Sequence, residues 1–470
     1  MDQLENTMAT NHIINSAKSI RVAMMYALLI SAIAGFAYGM EVGVVSGALP
    51  LITQEFQLSS LMEGWVVGSL MFGAIIGAIV AAPISRLVGR RRALVISSIA
   101  FLIGTVLSVF TSTVLLLVIG RIFLGLSVGI LTFAAPLYVS EISPEKFRGR
   151  AISTFQFMLS FGIFAAFLSN WVLNFLDSWR VMFSILFIPG TLLLIGALLV
   201  PKSPRWLVSV GRNDEALSVL TKLRVCPEVA KQELEEIKNN ITTENSHKGF
   251  KLFLNNKFFR KTVFLGISLQ VIQQLTGINI VLIFAPKIFA LAGFSGTSAQ
   301  LFSTMIVGIF FVVTTFISIF IIDKFGRKPM LYSGLSIIVL GLLLLTLGLA
   351  QEIASFGLAG IIIFIIGFGL SAGPIVWTLC AEIQPLQGRE FGVSCSTFAN
   401  WVMNFLVATY FLYLNDIFGI VNIFIALAVL NFIFLFFVYF FVPETKNVSL
   451  ESLERNLMKG ERLRNIGYKK

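Results

Sequence analysis

Arg86-Leu-Val-Gly-Arg-Arg-Arg92 and Asp323-Lys-Phe-Gly-Arg-Lys-Pro329 are one short basic loop written twice. Their Gly-Arg pairs, Gly89-Arg90 and Gly326-Arg327, stand 237 residues apart. A second signature recurs behind the first: Glu141 is followed seven residues on by Arg148, and Glu382 seven residues on by Arg389. These glutamates are 241 residues apart. Two signatures in the same order at nearly one offset indicate an internal duplication.

Each loop lies beside long apolar runs. A membrane-spanning helix needs about 20 apolar residues. Candidate spans cover 22–50, 62–84, 93–112, 113–138, 151–175, 181–200, 262–292, 301–322, 330–350, 355–380, 391–414 and 418–442. The expected fold is therefore an all-α integral membrane protein of twelve spans in two six-helix pseudo-repeats. Composition agrees: 57% of residues are hydrophobic, 13% charged and 45 are Phe, against roughly 25% charged in a soluble domain. A lipid bilayer solvates such a surface and water does not.

Charge sets the orientation. With the N-terminus placed inside, 32 of the 35 Lys and Arg fall on the cytoplasmic side; Arg180 and Lys287 fall outside, and Arg121 lies within a span. Cytoplasmic loops are expected to carry this excess. It accounts for the net charge of +11 without a nucleic-acid partner. The expected organisation is a cytoplasmic N-terminus (1–21), an N-terminal bundle (22–200), a cytoplasmic helical linker (201–257), a C-terminal bundle (258–442) and a cytoplasmic tail (443–470). Within the linker, Asn213–Leu223 and Pro227–Ile241 have helical periodicity. The N-terminal stretch shows no signal-peptide pattern. Cys226, Cys380 and Cys395 form no ligand or pairing pattern, and His12 and His247 lie in polar stretches, so no metal site is expected.

The repeated carboxylate–arginine pairs read as a charge cluster on the cytoplasmic face of each half. Glu141 would face Arg86, Arg90, Arg91 and Arg148; Glu382 would face Arg327 and Arg389 beside Asp323. Such a latch would hold the inside closed and break as the protein opens inward. An ionisable residue at the centre of a span costs about 2.5–3.5 kcal/mol on insertion scales, so it is a functional candidate by default. Two are deep: Glu41 in the first span and Arg121 in the fourth. Gly35, Gly39, Gly43 and Gly47, with Gly125 and Gly129, are expected to let those two helices approach. If helix motion changes the distance between carboxylate and guanidinium, proton affinity changes with conformation, which is what coupling to a proton gradient requires.

Neutral amides and aromatics gather near helix-loosening glycines: Gln156, then Gln273, Gln274 and Asn279 around Thr276-Gly277, Trp377 after Gly373-Pro374, and Asn400, Trp401 and Asn404. Amides both donate and accept, as sugar hydroxyls do, while each alone would equally serve as glue between helices.

Together these features resemble the sugar porters of the major facilitator superfamily over nearly the whole chain. The signatures are Pro201-Lys-Ser-Pro-Arg-Trp206, Gln273-Gln-Leu-Thr-Gly-Ile-Asn279 and Pro443-Glu-Thr-Lys446. Ser371-Ala-Gly-Pro374, Glu382-Ile-Gln-Pro-Leu386, Ser85 and Glu454-Arg-Asn-Leu-Met-Lys-Gly460 are most similar to the bacterial galactose–proton and arabinose–proton symporters. The resemblance implies proton-coupled uptake of a monosaccharide, with no cofactor beyond the transported proton, by a monomer in a bacterial inner membrane with membrane lipid around it. It implies that Glu41 binds the proton beside Arg121, and that Gln156, Gln273, Gln274, Asn279, Trp377 and Asn404 contact the sugar, with Phe36 and Tyr38 lining the cavity. Three departures from the pattern stand out: Glu41 replaces Asp, Phe311 replaces an Asn, and Ile283-Phe284 replace a Tyr-Tyr pair. Lys202 stands where an acid is common. A facilitative uniporter and a non-transporting sugar sensor stay open as alternatives; Glu41 argues against the first and the short tail against the second.

Overall fold

The computed structural model describes residues 2–143, 145–224, 226–243, 248–385 and 388–467, with side chains except at 2–21, 145–148, 240–243, 248 and 323. Twelve helices are long and apolar enough to cross a membrane: Val22–Phe56, Ser60–Val88, Arg90–Val109, Val114–Ile142, Gly149–Leu176, Trp179–Leu199, Lys257–Leu291, Thr297–Ile322, Arg327–Gln351, Ala354–Glu382, Arg389–Phe418 and Ile420–Phe441. They are numbered spans 1 to 12 below. No strand occurs among the described residues. Phe320, Leu340 and Phe440 are more than half exposed on the outside of the bundle, a surface suited to lipid chains. The chain is a multi-pass membrane protein.

Spans 4 and 10 run further than the hydropathy suggests. Glu141 and Glu382 stand in their last helical turns, not in the loops beyond. Span 4 stops at Ser143, which is extended (φ −65°, ψ 138°), as a residue preceding a proline tends to be.

The glycine rows of spans 1 and 4 do not bring those two helices together. A Cβ added at Gly39 would lie 2.0 Å from the Leu159 carbonyl oxygen, and one at Gly35 2.2 Å from that of Phe155. Span 1 thus lies backbone to backbone on span 5. A Cβ at Gly125 would lie 1.9 Å from the Leu70 carbonyl oxygen, which seats span 4 on span 2. Small residues allow close approach, but which neighbour fills the groove is a tertiary choice. The two halves meet most extensively along two seams, span 2 on span 11 and span 5 on span 8, with a smaller contact of span 1 on the second helix of span 7. Phe157–Phe316 and Trp171–Phe302 meet as tilted ring pairs across the second seam at 5.6 and 5.2 Å.

Two spans break where polar residues gather. Span 7 divides into Lys257–Leu275 and Ile278–Leu291 at Gly277 (φ +94°), a conformation that favours glycine. Asn431 of span 12 donates to the freed Thr276 carbonyl at 3.4 Å. Span 10 breaks at Ser371 (φ −133°, ψ −88°), two residues before the expected Gly373-Pro374.

Between spans 6 and 7 lie four short helices, Pro204–Ser209, Asn213–Leu223, Pro227–Thr243 and Lys248–Asn255. Trp206, Leu207, Leu220 and Leu234 form a small core of their own. Trp206 Nε1 donates to the Arg86 carbonyl at 2.9 Å, and its ring covers Gly89, where a Cβ would meet it at 2.8 Å. The linker is therefore docked on the first basic loop.

Candidate functional site

Glu41 and Arg121 meet inside the N-terminal half. Arg121 Nη1 lies 3.5 Å from Glu41 Oε1, and neither side chain has any exposed surface. Arg121 also donates weakly to the Val67 carbonyl at 3.4 Å and stands 5.9 Å from the centre of the Phe183 ring. Both Glu41 oxygens lack a hydrogen-bond partner among the described residues. The pair therefore attracts through space without a hydrogen bond. In a dry interior that attraction is strong and depends steeply on separation.

The expected sugar contacts divide into amides that brace helices and atoms left open. Gln273 Nε2 donates to the Ala372 and Gly373 carbonyls at 2.8 and 3.1 Å, in the first turn of the helix that follows the break in span 10. Its Oε1 accepts from Asn400 Nδ2 at 3.0 Å, and the same nitrogen reaches Gln270 Oε1 at 2.6 Å. Asn279 donates to Gln274 at 2.6 Å. In this conformation Gln273 is glue between spans 7, 10 and 11. Gln270, Trp401 and Asn404 each bury one polar atom (Nε2, Nε1 and Oδ1) with no partner among the described residues. Gln270 escaped the sequence reading, although it precedes Gln273 and Gln274 at the helical spacings of three and four. Gln156 is half-buried on span 5, and Trp377 is 40% exposed in the second helix of span 10; the structure does not join either to the amide network. Tyr38 of span 1 faces Trp401 of span 11 at 6.1 Å, so this region lies between the halves. Phe311 is buried against Phe368 at 6.4 Å, and Phe284 against Phe411 at 5.0 Å.

The carboxylate–arginine clusters are built twice on one plan. Arg90 Nη2 lies 2.8 Å from Glu141 and Arg327 Nη2 3.0 Å from Glu382. A hydroxyl completes each: Ser203 Oγ donates to the second Glu141 oxygen, and Thr445 Oγ1 donates to that of Glu382 at 2.5 Å. Pro201-Lys-Ser203 and Pro443-Glu-Thr445 are 242 residues apart, a third repeated signature that the sequence carried. Here the halves diverge. Glu444 accepts the backbone N–H groups of Arg327 and Lys328 at 3.1 and 3.0 Å. Its counterpart, Lys202, turns to Glu215 at 2.8 Å. The Lys202 hydrogen bond holds the Glu215 carboxyl below its ordinary range.

Three arginines expected at these clusters are elsewhere. Arg91 donates to the Ala197 and Leu198 carbonyls at 3.3 and 2.5 Å; it caps the end of span 6, where cations are favoured. Arg86 is 60% exposed and lies 3.7 Å from Glu390 of the other half. Arg389 begins span 11 on the side of the tail helix Leu450–Met458, near Glu451 and Glu454, while Arg327 and Thr445 occupy Glu382. The side chains of Arg148 and Asp323 lie outside the described residues.

The family model described as sugar (and other) transporter matches residues 27–457. The chain is 43% identical to the galactose–proton symporter of Escherichia coli K12 over 455 residues, covering 96% of this chain and 98% of that protein. It is 43% identical to the arabinose–proton symporter of the same strain over 460 residues, covering 96% and 97%. Among solved structures, the partially occluded inward-open xylose transporter XylE of E. coli matches with a TM-score of 0.80 at 28% identity, covering 91% of this chain and all (100%) of that one. The duplicated clusters, the paired spans and these likenesses lead to one assignment: the chain belongs to the sugar transporter family, with the major facilitator fold.

Proposed function

We propose that this protein is a proton-coupled monosaccharide symporter, taking a hexose or pentose, that works by alternating access between residues 22–200 and 258–442. The observation that carries the reading is the buried Glu41–Arg121 pair, 3.5 Å apart. A proton on Glu41 cancels its attraction for Arg121, so proton binding and helix separation are linked. The galactose–proton and arabinose–proton relatives support the proton and the substrate class.

The sugar lies between the halves. Gln156, Gln274, Asn279, Trp377 and Asn404 contact it, and Gln273 releases its helix-bracing bonds to join them. The unpartnered atoms of Gln270, Trp401 and Asn404 are two donors and one acceptor that sugar hydroxyls satisfy. Phe311, Ile283 and Phe284 make the surroundings more apolar, so a sugar needing a donor there is disfavoured. Arg90–Glu141–Ser203 and Arg327–Glu382–Thr445 fix the cytoplasmic ends of each half. Both termini are cytoplasmic, as the distribution of basic residues supports, and the membrane is a bacterial inner membrane, as the Escherichia coli relatives support. The protein acts as a monomer in lipid, performs no covalent chemistry and needs neither cofactor nor nucleic acid.

The test is a pH electrode in a weakly buffered suspension of cells expressing the protein. Addition of a transported sugar should alkalinise the medium. Sugar entry without alkalinisation would favour a uniporter, and neither response to any monosaccharide would favour a sensor.

A further inference from the structure

The outer face carries few cations, and one of them bridges the halves. Lys287 Nζ lies 3.0 Å from Glu63 Oε2. Lys287 follows Pro286 in the outer part of span 7, in the C-terminal half. Glu63 lies in the first turn of span 2, in the N-terminal half, where an acid is also favoured by the helix N-terminus. The Glu63 side chain is 7% exposed and that of Lys287 41%. A second ion pair across the halves, Arg86–Glu390, is longer at 3.7 Å and open to water on both sides, 60% and 82% exposed.

The residues after Glu63 hold the same seam shut. A Cβ at Gly64 would fall 1.9 Å from the Thr409 carbonyl oxygen, and one at Gly68 1.9 Å from the Thr409 hydroxyl. Trp65 meets Phe405 edge-on at 5.6 Å. These contacts are apolar or steric and let the surfaces slide. The ion pair is directional, and it ties span 2 to the outer half of span 7, beyond the break at Gly277.

We propose that Glu63 and Lys287 form an outer latch that sets how much of the time the protein spends closed to the outside. Opening outward must separate the carboxylate from the amine. Losing either partner would then raise the outward-open population about fivefold, the upper range for a pair with one exposed partner. The role is positional: neither residue touches sugar or proton.

The inference rests on the alternating-access reading, so its test needs no sugar. Nitroxides are placed at Gln54→Cys and Ser295→Cys, both exposed on opposite halves, with Cys226, Cys380 and Cys395 replaced by Ala. Electron–electron double resonance then gives the outer distance distribution in lipid nanodiscs. Glu63→Gln and Lys287→Gln should each move weight to longer distances. The exchanged variant Glu63→Lys/Lys287→Glu should restore the parent distribution, and raising salt should lengthen distances in the parent but not in the single variants. Single variants that match the parent would overturn the latch. An exchanged variant no better than the singles would also overturn it, because shape rather than charge would then hold the seam. A protein that moves no sugar yet shows the charge-dependent distances would refute the transport reading and leave the latch standing.

Discussion

Replacing Glu41 by Gln keeps the shape of the side chain and removes its charge. Arg121 would then be a fully buried cation with one 3.4 Å contact to the Val67 carbonyl and the Phe183 ring 5.9 Å away. Its charge partner, now 3.5 Å distant, would be gone. Stranding one member of a buried pair costs about 3–5 kcal/mol. The thermal unfolding midpoint in detergent should fall by several degrees. Removing the second charge as well, in Glu41→Gln/Arg121→Gln, should recover most of that loss, since replacing both members of a buried pair is often close to neutral. The two-step pattern separates a charge effect from a packing effect. Transport in the single variant should split in the same way. Accumulation against a gradient should be lost, because nothing titrates at position 41. Exchange of labelled for unlabelled sugar, with sugar on both sides, should continue. A Glu41→Gln protein that is as stable as the parent and still concentrates sugar would refute both the pairing and the coupling.

Three further expectations concern packing, the carboxylate–arginine clusters and the substrate. Gly39→Ala would place a methyl 2.0 Å from the Leu159 oxygen, so it should lower thermal stability by about 1–3 kcal/mol or more. Gly149→Ala, in a helix with nothing within 4 Å, should be neutral or stabilise by up to about 1 kcal/mol; equal losses at the two sites would refute the close seating of span 1 on span 5. Ser203→Ala and Thr445→Val each remove a hydrogen bond to a cluster carboxylate, worth about 1.5–3 kcal/mol when one partner is charged. The Ser203 change should cost more by thermal melting, because Glu141 is 3% exposed and Glu382 21%; the opposite order would contradict the burial argument. Phe311→Asn should destabilise, since the ring is buried against Phe368, and should shift the ranking of sugars in competition uptake. An unchanged ranking would mean residue 311 is remote from the sugar.

The fold was legible because a bilayer imposes length and the duplication repeats it. Twelve spans, the linker helix Asn213–Leu223 and the break at Gly277 follow from apolar runs, helical periodicity and one glycine. The Glu41–Arg121 pair was legible because two opposite charges at depth have few alternatives. What failed was the choice among neighbours. The glycines of span 1 show that some helix comes close, but nothing local distinguishes span 5 from span 4. Arg86, Arg91 and Arg389 sit in the right loops, yet a guanidinium satisfies carbonyls at a helix end as well as it satisfies a carboxylate. Gln273 is at once a candidate sugar contact and a donor to span 10 carbonyls, and the sequence cannot say which acceptor it meets in a given conformation. The Pro-X-Ser/Thr repeat was present at the offset of the other two signatures, and its role became visible only with the hydroxyls on Glu141 and Glu382.

The most direct measurement of the central claim is uptake of radiolabelled monosaccharides into proteoliposomes, with and without an imposed inward proton gradient. Proton-coupled symport predicts accumulation above the external concentration that collapses when a protonophore is added. Saturable entry that only equilibrates, unchanged by the gradient, would contradict it.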